Sequence, residues 1–154
     1  MTTKARIVLD DCKVALSGFT EGIQGAEWRI KWVSIVALLR AVGHVLKNVD
    51  NNRKIDPILS KIIEEQWELL KKSKPMPEIF WEFIEKERNN ILKQYEIGAG
   101  QGVTINLGNK VSTYSYTVTS GPYKGRDQRE VIREAIQWWE GYLDNIDKIA
   151  RNAT

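Results

Sequence analysis

From Lys4 to Phe19, Ala5, Val8, Leu9, Cys12, Ala15, Leu16 and Phe19 recur at three- and four-residue spacing with charges elsewhere, the period of an amphipathic helix. Gly18, Gly22 and Gly25 then loosen the chain. A second helix is predicted from about Ala26 to Val49, apolar nearly all round between Trp32 and Leu46, which marks it as the central and most enclosed one. Asn48, Asp50, Asn51 and Asn52 form a turn, and Asp56-Pro57 supplies an N-cap followed by proline at the first helical position. The third helix carries Ile58, Leu59, Ile62, Ile63, Gln66, Leu69 and Leu70 on one stripe, with Lys71, Lys72 and Lys74 complementing its C-terminal dipole. Pro75 and Pro77 lead into a fourth helix, read as one continuous element from Ile79 to Tyr95.

After Ile97 the period changes from helical to alternating. Val103, Ile105 and Leu107, then Tyr114, Tyr116 and Val118, read as two strands of a β-hairpin spanning about 102–119, with Gly108-Asn109 as a two-residue turn and Gly98 as the preceding helix cap. Two strands alone are marginal in water, so the hairpin is expected to pack on the bundle or on a second subunit. A fifth helix follows from about Asp127 to Ala150 with Ile132, Ala135, Ile136, Trp139, Leu143 and Ile146 on one face. The predicted fold is mainly α: an up-and-down bundle of about five helices with one inserted hairpin, in a single domain over 1–154.

Composition narrows this reading only a little. The 154 residues are 42% hydrophobic and 28% charged, ordinary values for a globular domain with a real core. A net charge of +3, without a dominant Lys/Arg block, permits an RNA or phosphate partner and does not require one. Cys12 is alone, so no internal disulfide framework exists and a reducing cytoplasm is the expected location. Apolar runs give way to Arg40, His44 and Lys47, so no membrane segment is expected. Six tryptophans in this length must sit in a core, a pocket or an oligomer contact.

The chemistry centres on Arg88. At 100° per residue, Trp81, Ile84, Ile91, Leu92 and Tyr95 fall within roughly 60° of it on the helical wheel, which centres the guanidinium on the face the helix should bury. Such an arginine is either an ion-pair anchor, with Glu21, Glu27 and Glu140 as candidate partners, or part of a site. Arg88-Asn89 on a late helix of a small bundle resembles the HEPN superfamily, whose active members carry an Arg, a polar follower and then a His. The resemblance implies an often dimeric all-α module of bacterial toxin or phage-defence type. In its active form, two motifs meet across a dimer to cleave RNA without metal. Here Arg88 and Asn89 match, while Lys93, Gln94 and Tyr95 stand where the His belongs.

Metal-free RNA cleavage needs a proton-transfer group and a cation for the phosphorane. Arg88 supplies the cation; Tyr95 is a poor base with an ordinary pKa of about 10. His44, the only histidine, lies four residues after Arg40 on the second helix, so Arg40, His44 and Arg88 could converge in one polar pocket and restore the missing imidazole. The candidate catalytic set is therefore Arg88, Asn89, Tyr95 and His44, and the candidate binding set is Arg40, Arg88, Trp138, Tyr114 and Tyr116. Trp138 is either covered by the hairpin or exposed with Tyr142 and the hairpin tyrosines as a contact patch.

Zinc and di-iron sites lack their ligand sets, so neither metal nor cofactor is expected. Gly98-x-Gly100-x-Gly102 ends a helix and opens a strand, the reverse of a phosphate loop. The functional expectation is a non-catalytic HEPN-like binding or interaction module, a homodimer with an RNA or protein partner and no membrane association. Its rivals are a metal-independent ribonuclease and a small-ligand bundle with a pocket lined by Trp28, Trp32 and Trp81.

Overall fold

The computed structural model describes residues 1–154. Five helices and one hairpin follow in order: α1 (Thr3–Ser17), α2 (Gly25–Val45), α3 (Pro57–Ser73), α4 (Lys86–Gln94), β1 (Ala99–Asn106), β2 (Val111–Val118) and α5 (Gln128–Ala153). Two stretches of wide π turns extend this frame: Leu46–Asp50 continues α2, and Ile79–Glu85 leads into α4. The mainly-α bundle with an inserted antiparallel hairpin agrees with the sequence pattern.

Local chemistry accounts for the helix starts. The Asp56 carboxylate accepts the Leu59 N–H at 2.9 Å with Pro57 behind it, and Asp127 accepts the N–H groups of Arg129 and Glu130. The core is a single cluster in which Trp32, Leu39, Phe80, Ile84, Ile132, Trp139 and Leu143 are fully buried. The Trp139 indole N–H donates to the Leu39 carbonyl at 2.8 Å, which fixes α5 against the middle of α2.

The second helix is not enclosed all round. Trp28, Trp32, Ile35, Val36, Leu39 and Val42 face the core, while Ile30 is 60% exposed and Ser34 and Ala37 lie open beside it. The apolar sequence around its circumference thus serves two purposes, a core face and an uncovered face. By length and composition Gly25–Asp50 is apolar enough to cross a membrane, but its inward side chains form the core of this fold.

The fourth helix departs from a single α-helical period. In Ile79–Glu85 the wide i→i+5 turns bring Ile79, Phe80, Trp81, Phe83 and Ile84 all into the core. That shift in phase means a wheel drawn at 100° per residue across the whole segment misplaces its second half. Glu87, 6% exposed, takes an inward position beside Ile91, Arg88 lies at the half-buried margin, and Leu92 and Tyr95 are 62% and 57% exposed. Arg88 is therefore not centred on the buried face. In α3, Ile58 and Leu69 of the predicted stripe are likewise exposed.

The hairpin pairs Ala99 with Val118 through Asn106 with Val111, so its loop is the four residues 107–110 rather than Gly108-Asn109 alone. The preceding helix ends at Tyr95, which adopts the left-handed conformation at φ +52°, and not at Gly98. Gly98 is needed for another reason: its N–H donates to Glu87 Oε1 at 2.9 Å, and a Cβ there would collide with Glu87 Oε2. Burial pushes the Glu87 carboxyl above its ordinary range, against the pull of the Gly98 N–H and the Trp32 indole.

The base of the hairpin packs within its own chain. Tyr116 Oη donates to the Ile23 carbonyl at 2.8 Å and accepts the Gly22 N–H at 3.0 Å, with its ring edge-on to Phe19. Gln128, fully buried, donates to the carbonyls of Gly100 and Thr117 and accepts the Trp28 indole N–H. Beyond this base, Val103, Ile105, Leu107 and Val111 are exposed.

Candidate functional site

Arg40 and His44 project one turn apart from α2, and the charge of Arg88 on α4 acts on both. Arg40 lies over the Phe80 ring, its guanidinium carbon 5.6 Å from the centroid. Burial lowers the Arg40 pKa from its ordinary value; the nearby Glu85 charge opposes that shift and Arg88 adds to it. Burial also lowers His44, and the charges of Arg40, Arg88 and Lys47 lower it further. With an ordinary value of 6.5 moved downward, the imidazole is neutral at pH 7. His44 Nε2 is buried and without a hydrogen-bond partner, as is Glu85 Oε2.

Arg88 forms no ion pair. Its guanidinium donates to the Oδ1 of the adjacent Asn89 at 3.1 Å, and no carboxylate lies within 4.0 Å of it. The carboxylates expected to anchor it are elsewhere: Glu140 pairs with Lys13, Glu21 faces Arg129 at 3.8 Å, and Glu27 pairs with nothing. The anchor reading of Arg88 is thereby corrected, because neither Glu85 nor the buried Glu87 nor any other carboxylate pairs with it.

Of the sequence candidates, Arg40 and His44 stand one turn apart on α2 and Arg88 is near enough for its charge to act on both, with Asn89 beside Arg88. Asn89 also lines an open cleft with Trp81, Glu85 and Lys86. Tyr95 lies exposed at the helix end, and Lys93 and Gln94 are exposed as well. Trp138 does not join the hairpin tyrosines. It stacks on Phe80 at 5.0 Å and on Tyr142 at 5.2 Å, whereas Tyr116 is buried against Phe19 at the hairpin base and Tyr114 is half-buried. The patch of Trp138, Tyr114 and Tyr116 is thus not one surface: α5 meets the hairpin at its first residues, more than two turns before Trp138. No group of three or more His, Cys, Asp or Glu side chains is placed to hold a metal ion.

Next to the cation cluster lies an aromatic assembly that the sequence pattern does not announce. Trp67, Phe80, Trp81, Trp138, Trp139 and Tyr142 interlock by edge and face contacts. Lys47 Nζ sits 5.7 Å above Trp67, and Lys74 Nζ 4.8 Å above Trp81. The pocket in this region is lined by Lys47, Asn51, Trp67, Trp139 and Tyr142, while Trp28, Trp32 and Trp81 are core residues. Lys47, Glu85 and Trp67 are the site residues that sequence reasoning missed. Lys47, three residues after His44 on the same helix, carried a usable signal; Trp67 and Glu85 looked like ordinary amphipathic-helix positions.

Chemically, the two guanidinium groups are the phosphate-binding groups of this region, and neither is in an ion pair. Set against models of known protein families, curated proteins and solved structures, the chain has no match in any of the three.

Proposed function

We propose that this chain is a HEPN-like, non-catalytic module that binds RNA through phosphate at Arg40, His44 and Arg88. The observation that carries the reading is the meeting of two arginines and the only histidine across α2 and α4 with no ion-paired carboxylate. Like charges held together in a partly desolvated place are unfavourable, and an anion bound between them offsets that cost. Glu85 tempers the field at Arg40 without forming an ion pair to it.

The module works as a homodimer in the cytoplasm. The open apolar face of α2 at Ile30 and Ala37 supports self-association, and the solitary, buried Cys12 supports a reducing compartment. Light scattering of the wild type and Ile30→Glu tests the dimer: a concentration-independent monomer in both proteins removes it.

One observation favours a second, catalytic reading. His44 is neutral with an unpaired Nε2, but that nitrogen is buried, so a base role towards a ribose 2′-hydroxyl requires the side chains over it to part; Arg88 is then the cation that stabilises the phosphorane. This metal-independent ribonuclease reading would restore the absent α4 histidine from α2. Purified wild type, Arg88→Ala and His44→Gln, each incubated with labelled RNA in chelator, separate the alternatives. Binding without cleavage, weakened by Arg88→Ala, is the expected result; cleavage lost in both variants establishes the catalytic reading. Equal and negligible binding by wild type and Arg88→Ala sinks both.

A further inference from the structure

A cavity of about 250 Å³ lies where the π turns and α4 meet the two ends of the hairpin, just under the usual size of a small-ligand site. Phe83 and Tyr123 give it an apolar wall, and Glu82, Glu87, Asn90, Glu96 and Ser120 are its oxygen-bearing residues. Lys86 is the one basic residue that lines it. Its ammonium is held by Glu82 at 3.2 Å on the exposed side of the helix, and as the immediate neighbour of Glu87 it projects in another direction. Glu87 and Glu96 are in no ion pair.

Glu87 is the informative member, because it is only 6% exposed and yet incompletely bonded. Its Oε1 accepts the Gly98 N–H at 2.9 Å. Its Oε2 accepts no hydrogen bond and is not sealed from solvent as Glu85 Oε2 is, so it opens on the cavity that Glu87 lines. The Trp32 indole draws the Glu87 pKa down but forms no hydrogen bond. Gly98 keeps the opening clear: a Cβ there would collide with Oε2 and lie 2.6 Å from Ser120 Oγ. The carboxylate and the hydroxyl thus flank one opening.

We propose that this cavity binds a small primary amine, its ammonium donating to Glu87 Oε2 and Ser120 Oγ. A carboxylate held inside the fold without a counter-ion is costly, and a bound cation offsets that cost. Burial accordingly holds the Glu87 carboxyl above its ordinary range. No three acids converge closely enough to hold a metal ion, whereas an alkylammonium carries three N–H donors that reach separated acceptors. Exposed Glu96 adds negative charge at the mouth. The site is distinct from Arg40, His44 and Arg88 and does not depend on the phosphate-binding reading.

An NMR titration of the wild-type protein with 1,4-diaminobutane, 1,4-butanediol and magnesium chloride tests this through the backbone amides of Gly98 and Gly121. The diamine is expected to give saturable shifts at both; the diol, of equal length without charge, and magnesium at equal ionic strength should give none. Glu87→Gln keeps the acceptor for the Gly98 N–H and should weaken diamine binding about tenfold, the worth of one charge-assisted hydrogen bond. Ser120→Ala, at an exposed position, should weaken it by a smaller factor. Absence of saturation by the diamine, equal shifts with the diol or with magnesium, or unchanged affinity in both variants overturns the amine site. The three titrants are compared on unaltered protein, so the test holds even where the glutamine variant folds poorly.

Discussion

Two arginine clusters in this small bundle differ in one respect, and that difference separates a structural charge from a functional one. At the N-terminal end, Arg6 meets Asp147, which is 1% exposed and accepts four hydrogen bonds: from the Thr2 N–H and hydroxyl, each at 2.8 Å, and from two Arg6 nitrogens. Asp144 Oδ1 accepts from the Arg6 Nη2 as well, at 2.8 Å. Burial alone would raise the Asp147 carboxyl, but the hydrogen bonds from Arg6 and Thr2 outweigh it and hold the group below the usual carboxylate range. The arginine there is fully engaged by carboxylates inside the fold. At the α2–α4 contact, Arg40 and Arg88 form no ion pair, and Glu85, whose charge acts on Arg40, leaves a buried oxygen unbonded. A cluster completed from within holds helices together; one whose arginines form no ion pair is suited to an external anion.

The contrast can be broken at either cluster. The largest effect is expected from Asp147→Ala, which leaves Arg6 with Asp144 alone and strands the buried N–H and hydroxyl of Thr2. A loss of about 2–4 kcal/mol in urea unfolding is predicted, mostly from the two buried Thr2 groups left unsatisfied. Asp147→Asn exposes the pH linkage. The folded Asp147 pKa lies below its ordinary 3.8, so its contribution is complete above that value and disappears as pH falls through the folded pKa. The acid limb of the wild-type stability curve should therefore be steeper below pH 4 than that of the asparagine variant.

Arg88→Ala inverts this outcome. No carboxylate is abandoned, so unfolding free energy should change by less than about 1 kcal/mol. RNA affinity should fall about tenfold, the worth of one charge-assisted hydrogen bond. The slope of log Kd against log salt should drop by about 0.7 for each single-strand phosphate the variant no longer neutralises. The smallest effect belongs to His44→Gln. The folded His44 pKa is lowered, so between about pH 6.5 and that lower value the unfolded chain holds the extra proton and stability falls on acidification. The glutamine variant should lack that shallow decline in chemical denaturation between pH 7 and 5.

The sequence carried the fold further than the site. Amphipathic periods, the Asp56-Pro57 cap and the alternation after Ile97 located five helices and a hairpin, because each is a local pattern. The phase of Arg88 was not recoverable in this way. The π turns of Ile79–Glu85 answer to tertiary packing of Phe80, Trp81 and Phe83, and they rotate everything after them. The convergence of Arg40, His44 and Arg88 was readable as a possibility from the Arg40–His44 spacing, since one turn places both on one side. Their lack of an acidic partner was not readable, because Glu140 and Glu21 find Lys13 and Arg129 through contacts remote in sequence. The aromatic pocket was hidden for the same reason: Trp67, Trp139 and Tyr142 meet only when α3 and α5 pack.

His44 is the only imidazole in the chain, so a single set of histidine resonances reports the incomplete cluster. The decisive measurement is an NMR pH titration of His44 with and without a short single-stranded RNA. The free protein should titrate below 6.5, and bound phosphate, by neutralising the field of Arg40 and Arg88, should move the titration upward. A His44 titration unchanged by saturating RNA would contradict a phosphate site between these helices.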